Sequence, residues 1–402
     1  MFHILLFIAV TCFSFSAGVY GLYFFLVFRT SKKNEYLKLI KKALEKELSS
    51  QQLPMVSILI PAHNEEEVIS RKMRNIAALD YPLEKTEVLL IDDGSTDNTV
   101  KIAQRMFREL DLPGKIIRNG KRIGVNASYN RGVEESKGDW ILTTDADVTF
   151  DHDALMKGVN ILSYLENAGG ISAKIVPVST DHTAAVLIEN TYKPFYDSML
   201  ITESAIYSTF PGYSPFMLFR KTAFSPLPPM HGSSDGNISL AIIRKGMQFL
   251  YVPDILFYEP IPITVTEQRR QKIRRACRLI QSTLRNRDML FQDKYKSFGK
   301  IIFPLRFAMM VLCPIAFVIG FATTILGSFY LSTALPLFLI FIFSFCAFLG
   351  TKLKLRTLNF FSSFVAHQYY LIMGLFLSQK KVAAWRPPER SEMTNTRFDT
   401  TS

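Results

Sequence analysis

Hydrophobic and polar positions divide the chain into three regimes. The first is an unbroken apolar run from Phe2 to Phe28, which carries no charge and one His. At about 1.5 Å per residue, a helix of that length crosses a hydrocarbon core of roughly 30 Å. A cleaved leader is the competing possibility. The run outlasts the usual apolar region of a leader and has no basic start, so residues 1–28 are expected to be a retained transmembrane helix. Residues 29–53 form a basic linker helix carrying Arg29, Lys32, Lys33, Lys38, Lys41 and Lys42. The positive-inside rule puts that end, and the domain after it, in the cytoplasm.

The second regime, residues 54–265, alternates short apolar runs with helical stripes. Val56 to Ile60 reads as a strand stopped by Pro61, and Asn64-Glu65-Glu66-Glu67 as the cap and acidic first turn of a helix. Val88 to Ile91 is a second strand. After it, Val100, Ala103, Met106, Phe107 and Leu110 mark the apolar stripe of a helix over 98–110. Lys115 to Ile117 is a third strand, 126–136 a third helix, and Trp140 to Thr144 a fourth strand. Strands alternating with helices predict an α/β domain, a mostly parallel sheet with helices on both faces.

The third regime returns to apolar runs. Residues 266–300 begin with a basic helix in which Ile273, Ala276, Cys277 and Ile280 share one face, the pattern of a helix lying on a membrane surface. Residues 301–378 hold three apolar stretches, Ile301 to Leu326, which Arg306 interrupts, Phe329 to Leu349 and Leu358 to Leu377. The first two read as a membrane hairpin. The third has bases on both flanks, Lys352, Lys354 and Arg356 before it and Lys380, Lys381 and Arg386 after it, so the charge rule leaves spanning, interfacial and re-entrant paths open. A polar, basic tail, 379–402, ends the chain.

Charge and cysteine content narrow the function classes. The formal net charge of +12 over 402 residues could signal nucleic acid, but the bases adjoin apolar runs, where anionic headgroups are the nearer partner. No nucleic-acid partner is expected. Cys12, Cys277, Cys313 and Cys346 have no metal-ligand spacing, which speaks against zinc and disulfides.

The chemistry concentrates at strand ends. Val88-Leu89-Leu90-Ile91-Asp92-Asp93-Gly94-Ser95 and Trp140-Ile141-Leu142-Thr143-Thr144-Asp145-Ala146-Asp147 each close an apolar strand with paired carboxylates. Either alone reads equally well as a strand followed by an Asx turn. Together they suit a hard cation gripping phosphate oxygens at the carboxyl edge of a parallel sheet.

Ser57 to Glu65, Ile91 to Asp97, Asn119 to Gly132 and Asp145-Ala146-Asp147 resemble, in order and spacing, the motifs of the family 2 glycosyltransferases. These are inverting, nucleotide-sugar-dependent enzymes of Rossmann-like GT-A fold. The resemblance implies that Pro61, Ala62 and Glu66 line the nucleotide pocket, that Asp93 accepts a hydrogen bond from the base, expected to be uridine, and that Asp145 lies near the ribose. It implies that Asp147 ligates Mg2+ or Mn2+, a cation that stabilises a departing diphosphate. Gly124 to Gly132 is similar to the non-processive form of the loop-to-helix motif, with Val125 where polysaccharide synthases often have Lys.

The family's acidic-pair motif is matched by Ser233-Ser234-Asp235-Gly236-Asn237, with Ser234 in place of the first acid. Inversion needs one carboxylate to take the acceptor's proton, and Asp235 is the candidate base; it could equally cap the helix that follows. Phe210 to Arg220 looks like the acceptor-side strand, where Tyr213 could stack on a sugar or serve the core. Gln271-Lys272-Ile273-Arg274-Arg275 resembles the Gln-x-x-Arg-Trp motif that closes over diphosphate and acceptor. Arg275 replaces the Trp and suits a phosphate-bearing acceptor through its planar fork, while headgroup binding is an equal alternative.

Taken together, these features lead us to expect a membrane-anchored, cytoplasm-facing inverting glycosyltransferase. Its donor is a nucleotide sugar, and its acceptor a polyprenyl or dolichyl phosphate or a glycan linked to such a lipid. A processive polysaccharide synthase of the same family and a catalytically inactive, membrane-tethered nucleotide-binding scaffold are the alternatives.

Overall fold

The computed structural model describes residues 1–30, 32–46, 48–178, 184–260, 265–352 and 356–379. The central sheet has eight strands: β1 (Val56–Ala62), β2 (Thr86–Asp92), β3 (Gly114–Arg118), β4 (Trp140–Thr143), β5 (Thr149–Phe150), β6 (Ala168–Val178), β7 (Met217–Arg220) and β8 (Gln248–Pro260). Their order is β3-β2-β1-β4-β7-β6-β8-β5. Strands β3, β2, β1 and β4 run parallel, and β6 is parallel to β8; only β7 and the short β5 oppose their neighbours. Because β2 and β4 flank β1 in the same direction, both acidic pairs emerge at one edge of the sheet. That is the Rossmann-like arrangement of a GT-A domain.

Helices α3 (Ile69–Ala77), α4 (Thr99–Glu109), α5 (Val125–Glu135), α6 (Ala154–Tyr164), α7 (Ala184–Ile206), α8 (Ser234–Arg244) and α9 (Val265–Arg285) complete the domain. Two apolar cores lie on opposite faces of the sheet, since neighbouring β1 residues enter different ones: Ile58 and Ile60 join one, Leu59 the other. Helix α5 sits close to the strands because Gly132 has no side chain. A Cβ there would stand 3.1 Å from Ile91 Cδ1 and 3.2 Å from Leu59 Cδ1.

Three sequence expectations are corrected. Strand β1 runs through Pro61, which pairs with Ile91, and ends at Ala62. Residues 64–67 are not a helical first turn: α3 begins at Ile69, and Asn64 takes the left-handed conformation (φ 56°) to swing the chain toward the β2 loop. The expected acceptor-side strand over 210–220 is extended structure only at Met217–Arg220, preceded by an irregular segment.

Among the described residues, two helices are long and apolar enough to cross a membrane, α1 (Phe2–Arg29) and α10 (Phe298–Ser328). They pack side by side and antiparallel: Phe13 meets Phe317 at 6.2 Å, Gly320 faces Cys12 and Phe13, and Gly327 faces Leu5 and Phe2. Their far ends expose Ile4, Phe7, Val10, Ile315, Val318 and Leu326. The near end of α10 is different, because Phe298, Ile302 and Phe303 are buried in the core of the sheet domain. Arg306 therefore interrupts no membrane span; it lies inside the protein. A basic helix, α2 (Lys32–Leu44), follows α1 and buries Tyr36, Ile40 and Ala43.

The remaining apolar stretches are α11 (Leu335–Lys352) and α12 (Arg356–Ser378). Phe343 of α11 packs on Phe317 and Phe321, which carries the chain back toward the sheet domain. Helix α12 then lies along α9: a Cβ on Gly374 would come within 2.9 Å of the Cys277 backbone, and Gln281 donates to the Ser378 carbonyl at 3.0 Å. The apolar face of α9 was expected to meet lipid. Where Cys277 and Ala276 lie, it meets α12 instead. Lys354 and residues 380–402, with Lys380, Lys381, Arg386 and nearly all of the tail, lie outside the described residues.

Candidate active site

The β1 and β2 loops are laced together by their own polar groups. The Ser95 N–H donates to Asp92 Oδ1 at 3.0 Å, the Thr96 N–H to Asn64 Oδ1 at 2.8 Å, and the Glu65 N–H to the Thr99 hydroxyl at 2.8 Å. Glu66, expected at the nucleotide pocket, accepts from the Asn98 N–H and side-chain amide, each at 3.0 Å, at the start of α4. Pro61 and Ala62 form the end of β1 beneath these loops.

Asp93 is buried and fully engaged. Its Oδ1 accepts from the Asn119 amide at 3.0 Å and the Ile123 N–H at 2.8 Å, and its Oδ2 from the Gly124 N–H at 2.9 Å. The carboxylate thereby folds the 119–124 loop over the sheet edge. Gly94 (φ 77°) permits this, since a Cβ there would lie 3.0 Å from the Arg122 nitrogen. Beyond the loop, a cavity of about 120 Å³ opens between Arg122, Gly124, Asn126, Met230, Arg278 and Gln281. None of the expected carboxylates lines this cavity; Asp93 adjoins it through its hydrogen bonds from Ile123 and Gly124.

Residues 145–148 rest on a lysine that the sequence reading missed. Lys72 of α3 is fully buried, donates to the Thr144 hydroxyl at 2.7 Å and the Val148 carbonyl at 3.1 Å, and lies 4.0 Å above the Phe150 ring. Burial lowers its pKa to about 7, against the pull of Asp145 and Asp147. Its neighbour Arg71 donates to the Asp147 carbonyl at 3.2 Å. The signal was available: Ile69, Lys72, Met73 and Ile76 make one buried stripe, with a charge among apolar residues.

Two consecutive residues, Tyr213 and Ser214, tie together carboxylates that are far apart in sequence. The Tyr213 hydroxyl donates to Asp145 Oδ2 at 3.2 Å, and the Ser214 N–H donates to Asp235 Oδ2 at 3.0 Å. Asp235 also accepts the Ser234 hydroxyl through Oδ1 at 3.0 Å. It does not cap α8; Ser233 does, accepting the Gly236 N–H at 3.1 Å. Burial pushes Asp235 up to about 6, although the Ser214 and Ser234 hydrogen bonds and the nearby Arg275 and Arg278 favour its charged form. Asp145 is pushed up to about 7 by burial and by the negative charge of Asp147, Asp235 and Glu259.

Glu259, also missed, closes this group from the end of β8. It accepts from Arg275 Nη2 at 2.6 Å and is raised above the ordinary carboxylate range by burial. The Tyr213 hydroxyl sits between Asp145 and Glu259, and the Arg275 guanidinium lies 3.6 Å from the Tyr213 ring centroid. Arg275 thus stacks on a protein aromatic, and Tyr213 serves Asp145. Arg274 and Arg278 flank Arg275 on the same helix. Burial and the mutual repulsion of the three arginines lower Arg274 to about 10, and burial lowers Arg278, which is held up mainly by Asp235. Gln271 begins this turn of α9 and is half-buried.

Among the described residues, no three His, Cys, Asp or Glu stand together as a ready-made metal cage. The donor set nonetheless fits a cation. Mg2+ and its relatives are held by one or two carboxylates plus substrate phosphates, and the crowded negative charge that raises Asp145 is what such an ion would relieve.

Residues 57–226 match the family model of glycosyl transferase family 2, and they form a domain of that family. An N-acetylglucosaminyltransferase from Rhizobium meliloti is 24% identical over 234 residues, 55% of this chain and 55% of that protein. A dolichyl N-acetyl-alpha-D-glucosaminyl phosphate 3-beta-D-2,3-diacetamido-2,3-dideoxy-beta-D-glucuronosyltransferase from Methanococcus voltae is 33% identical over 130 residues, 30% of this chain and 40% of that one. The chain spans about a quarter to about half the length of the curated relatives it matches. A mannosyltransferase from Pyrobaculum calidifontis, solved in complex with GDP-Man and Mn2+, shares the fold with a TM-score of 0.72 at 20% identity, covering 92% of this chain and 99% of that one.

Proposed function

We propose that the chain is a membrane-anchored inverting glycosyltransferase that moves a sugar from a nucleoside diphosphate sugar to a lipid phosphate or lipid-linked glycan. The observation that carries this is the Tyr213–Ser214 bridge, which brings Asp145 and Asp235 together across ninety residues of sequence. Asp145 then belongs with the donor and Asp235 with the acceptor. With a pKa near 6, Asp235 is largely ionised at pH 7 and still basic enough to take an acceptor proton. Its Oδ1 is the receiving oxygen, because its partner there, the Ser234 hydroxyl, can rotate away.

Asp93 and the 119–124 loop would hold the base, with Pro61, Ala62 and Glu66 shaping the pocket. Asp147 would hold the divalent cation, Mg2+ or Mn2+, which when bound neutralises the leaving diphosphate. Arg274 and Arg275, with Arg278, would present positive charge, and Gln271 a neutral amide, on the side of α9 facing the carboxylates, where a diphosphate or an acceptor phosphate would lie. The Methanococcus relative's name specifies a dolichyl N-acetyl-alpha-D-glucosaminyl phosphate, a lipid-linked sugar, and the Pyrobaculum neighbour holds a nucleotide sugar with Mn2+. Two apolar helices among the described residues and the α9–α12 pair support an acceptor delivered from the bilayer, and the bases that follow α1 support a catalytic domain in the cytoplasm.

A donor screen tests this. Nucleoside diphosphate release from a panel of UDP- and GDP-sugars with Mn2+ should require added lipid phosphate or lipid-linked glycan and should be lost in Asp235→Asn. One sugar added per acceptor is expected. A polymer ladder would establish a processive synthase, and binding without turnover an inactive scaffold.

A further inference from the structure

One buried cluster has no part in the chemistry above. Glu203 of α7 and Arg306 of α10 are 3% and 7% exposed, with Arg306 Nε 3.5 Å from Glu203 Oε1. The same carboxylate accepts the Tyr23 hydroxyl of α1 through Oε1 and the Thr209 hydroxyl through Oε2, each at 2.5 Å. Arg306 donates from Nη2 to the Phe210 carbonyl at 3.0 Å, and its guanidinium lies 4.8 Å from the Phe210 ring centroid. Glu203 thus gathers α1, α7, α10 and the start of the 209–214 segment.

That segment is the one whose far end holds the catalytic carboxylates. Its middle is pinned as well: the Gly212 N–H donates to the Tyr196 hydroxyl at 3.0 Å, and a Cβ on Gly212 would come within 3.0 Å of Leu279 of α9. Tyr213 and Ser214 then reach Asp145 and Asp235. A buried ion pair is a poor source of net stability but a good source of fixed geometry. At a reacting centre, displacement by about 1 Å can cost roughly a hundredfold in rate.

We propose that Tyr23, Glu203 and Arg306 are positioning residues that couple the seating of the N-terminal apolar helix to the orientation of Asp235, acting through the 209–214 segment. The coupling rests on the assignment of Asp235 as base. Removing the Tyr23 hydroxyl loosens Glu203, and with it Thr209 and the turn that aims the Ser214 N–H. The nucleotide-side loops at Asp92 and Asp93 share none of these contacts, and the loop that carries Asp145 is held independently by Lys72 and Arg71, so donor affinity should move little.

The test uses the full chain in lipid nanodiscs, with Tyr23→Phe, Thr209→Val, their double variant, Arg306→Lys and Asp235→Asn. Expected is a fall in kcat of about tenfold in each hydroxyl variant, donor KM within about twofold, and a double variant no worse than the poorer single one, since both act through Glu203. Amide exchange at Gly212 and Ser214 should quicken in Tyr23→Phe with or without substrate. A kcat near that of the parent in both hydroxyl variants, a loss carried by donor KM, or unchanged exchange at those amides overturns the coupling. Arg306→Lys, which keeps the charge but loses the fork, should fall with them; full activity in it also counts against the coupling. If Asp235→Asn is as active as the parent, the base assignment fails instead, and the exchange data alone then decide whether the clamp exists.

Discussion

The two sides of the site handle buried charge in opposite ways. On the β1–β2 side, the buried carboxylates are engaged by N–H donors of the protein: Asp93 accepts three hydrogen bonds and Asp92 closes a turn, while the exposed Glu66 ties down Asn98 at the start of α4. On the side built from residues 145–147, 213–214, 235, 259 and α9, Asp145, Asp235 and Glu259 are pushed upward by burial, while Arg274 and Arg278 are pushed downward. The first side is a finished mould. The second holds charge at a cost, which a bound cation and diphosphate would offset. Donor recognition should therefore be robust to conditions, and turnover sensitive to them.

The largest expected break in that contrast is Asp235→Asn. It should cost about a thousandfold in kcat, in the range for loss of a general base, while equilibrium binding of nucleotide measured by calorimetry stays as in the parent. Asp93→Asn should do the reverse. An amide presents N–H groups to at least one of three N–H donors, leaving a buried donor unmatched at a cost of about 2 kcal/mol. Nucleotide affinity and thermal stability should fall together, whereas the pH profile of the residual turnover should stay put.

The pH profile itself is the next test. Asp235 must be ionised to act, so with a pKa near 6 the rate should fall about tenfold between pH 7 and pH 5. Saturating Mn2+ should remove any further contribution from Asp145, whose pKa near 7 reflects burial and neighbouring carboxylates. A flat profile over that range would show that the acceptor side is not the strained half.

Lys72→Met gives the smallest effect, and one of defined sign. The lysine's folded pKa, about 7, lies below the unfolded value of 10.5, so the unfolded state binds more protons between those values. Stability should climb as pH rises from about 7 to 10.5 and be lost as pH falls through about 7. In Lys72→Met, urea unfolding should show a shallower rise across the same window.

The contrast also explains what the sequence made legible. The α/β alternation and the strand-end carboxylates of β2 and β4 depend on local pattern, and the parallel sheet places both pairs on one edge. The beginning of α3 was misread because Asn64 and Glu66 serve the β2 loop across space, which no local spacing reports. Glu259 ends a strand and Tyr213 sits in an irregular segment; only tertiary packing brings them to Asp145 and Arg275. Arg306 was read as an interruption of an apolar span because hydropathy cannot tell lipid from a protein core. Lys72 was readable in principle, as a charge within an apolar stripe.

The most direct measurement is a structure of the full chain in nanodiscs with a nucleoside diphosphate and Mn2+. The expected density places the base beside Asp93, the ion on Asp147, and the outer phosphate in the space faced by Asp235, Arg274 and Arg278. Nucleotide bound with Asp147 or Asp235 opening into a separate cavity would contradict a single site shared by the three carboxylates.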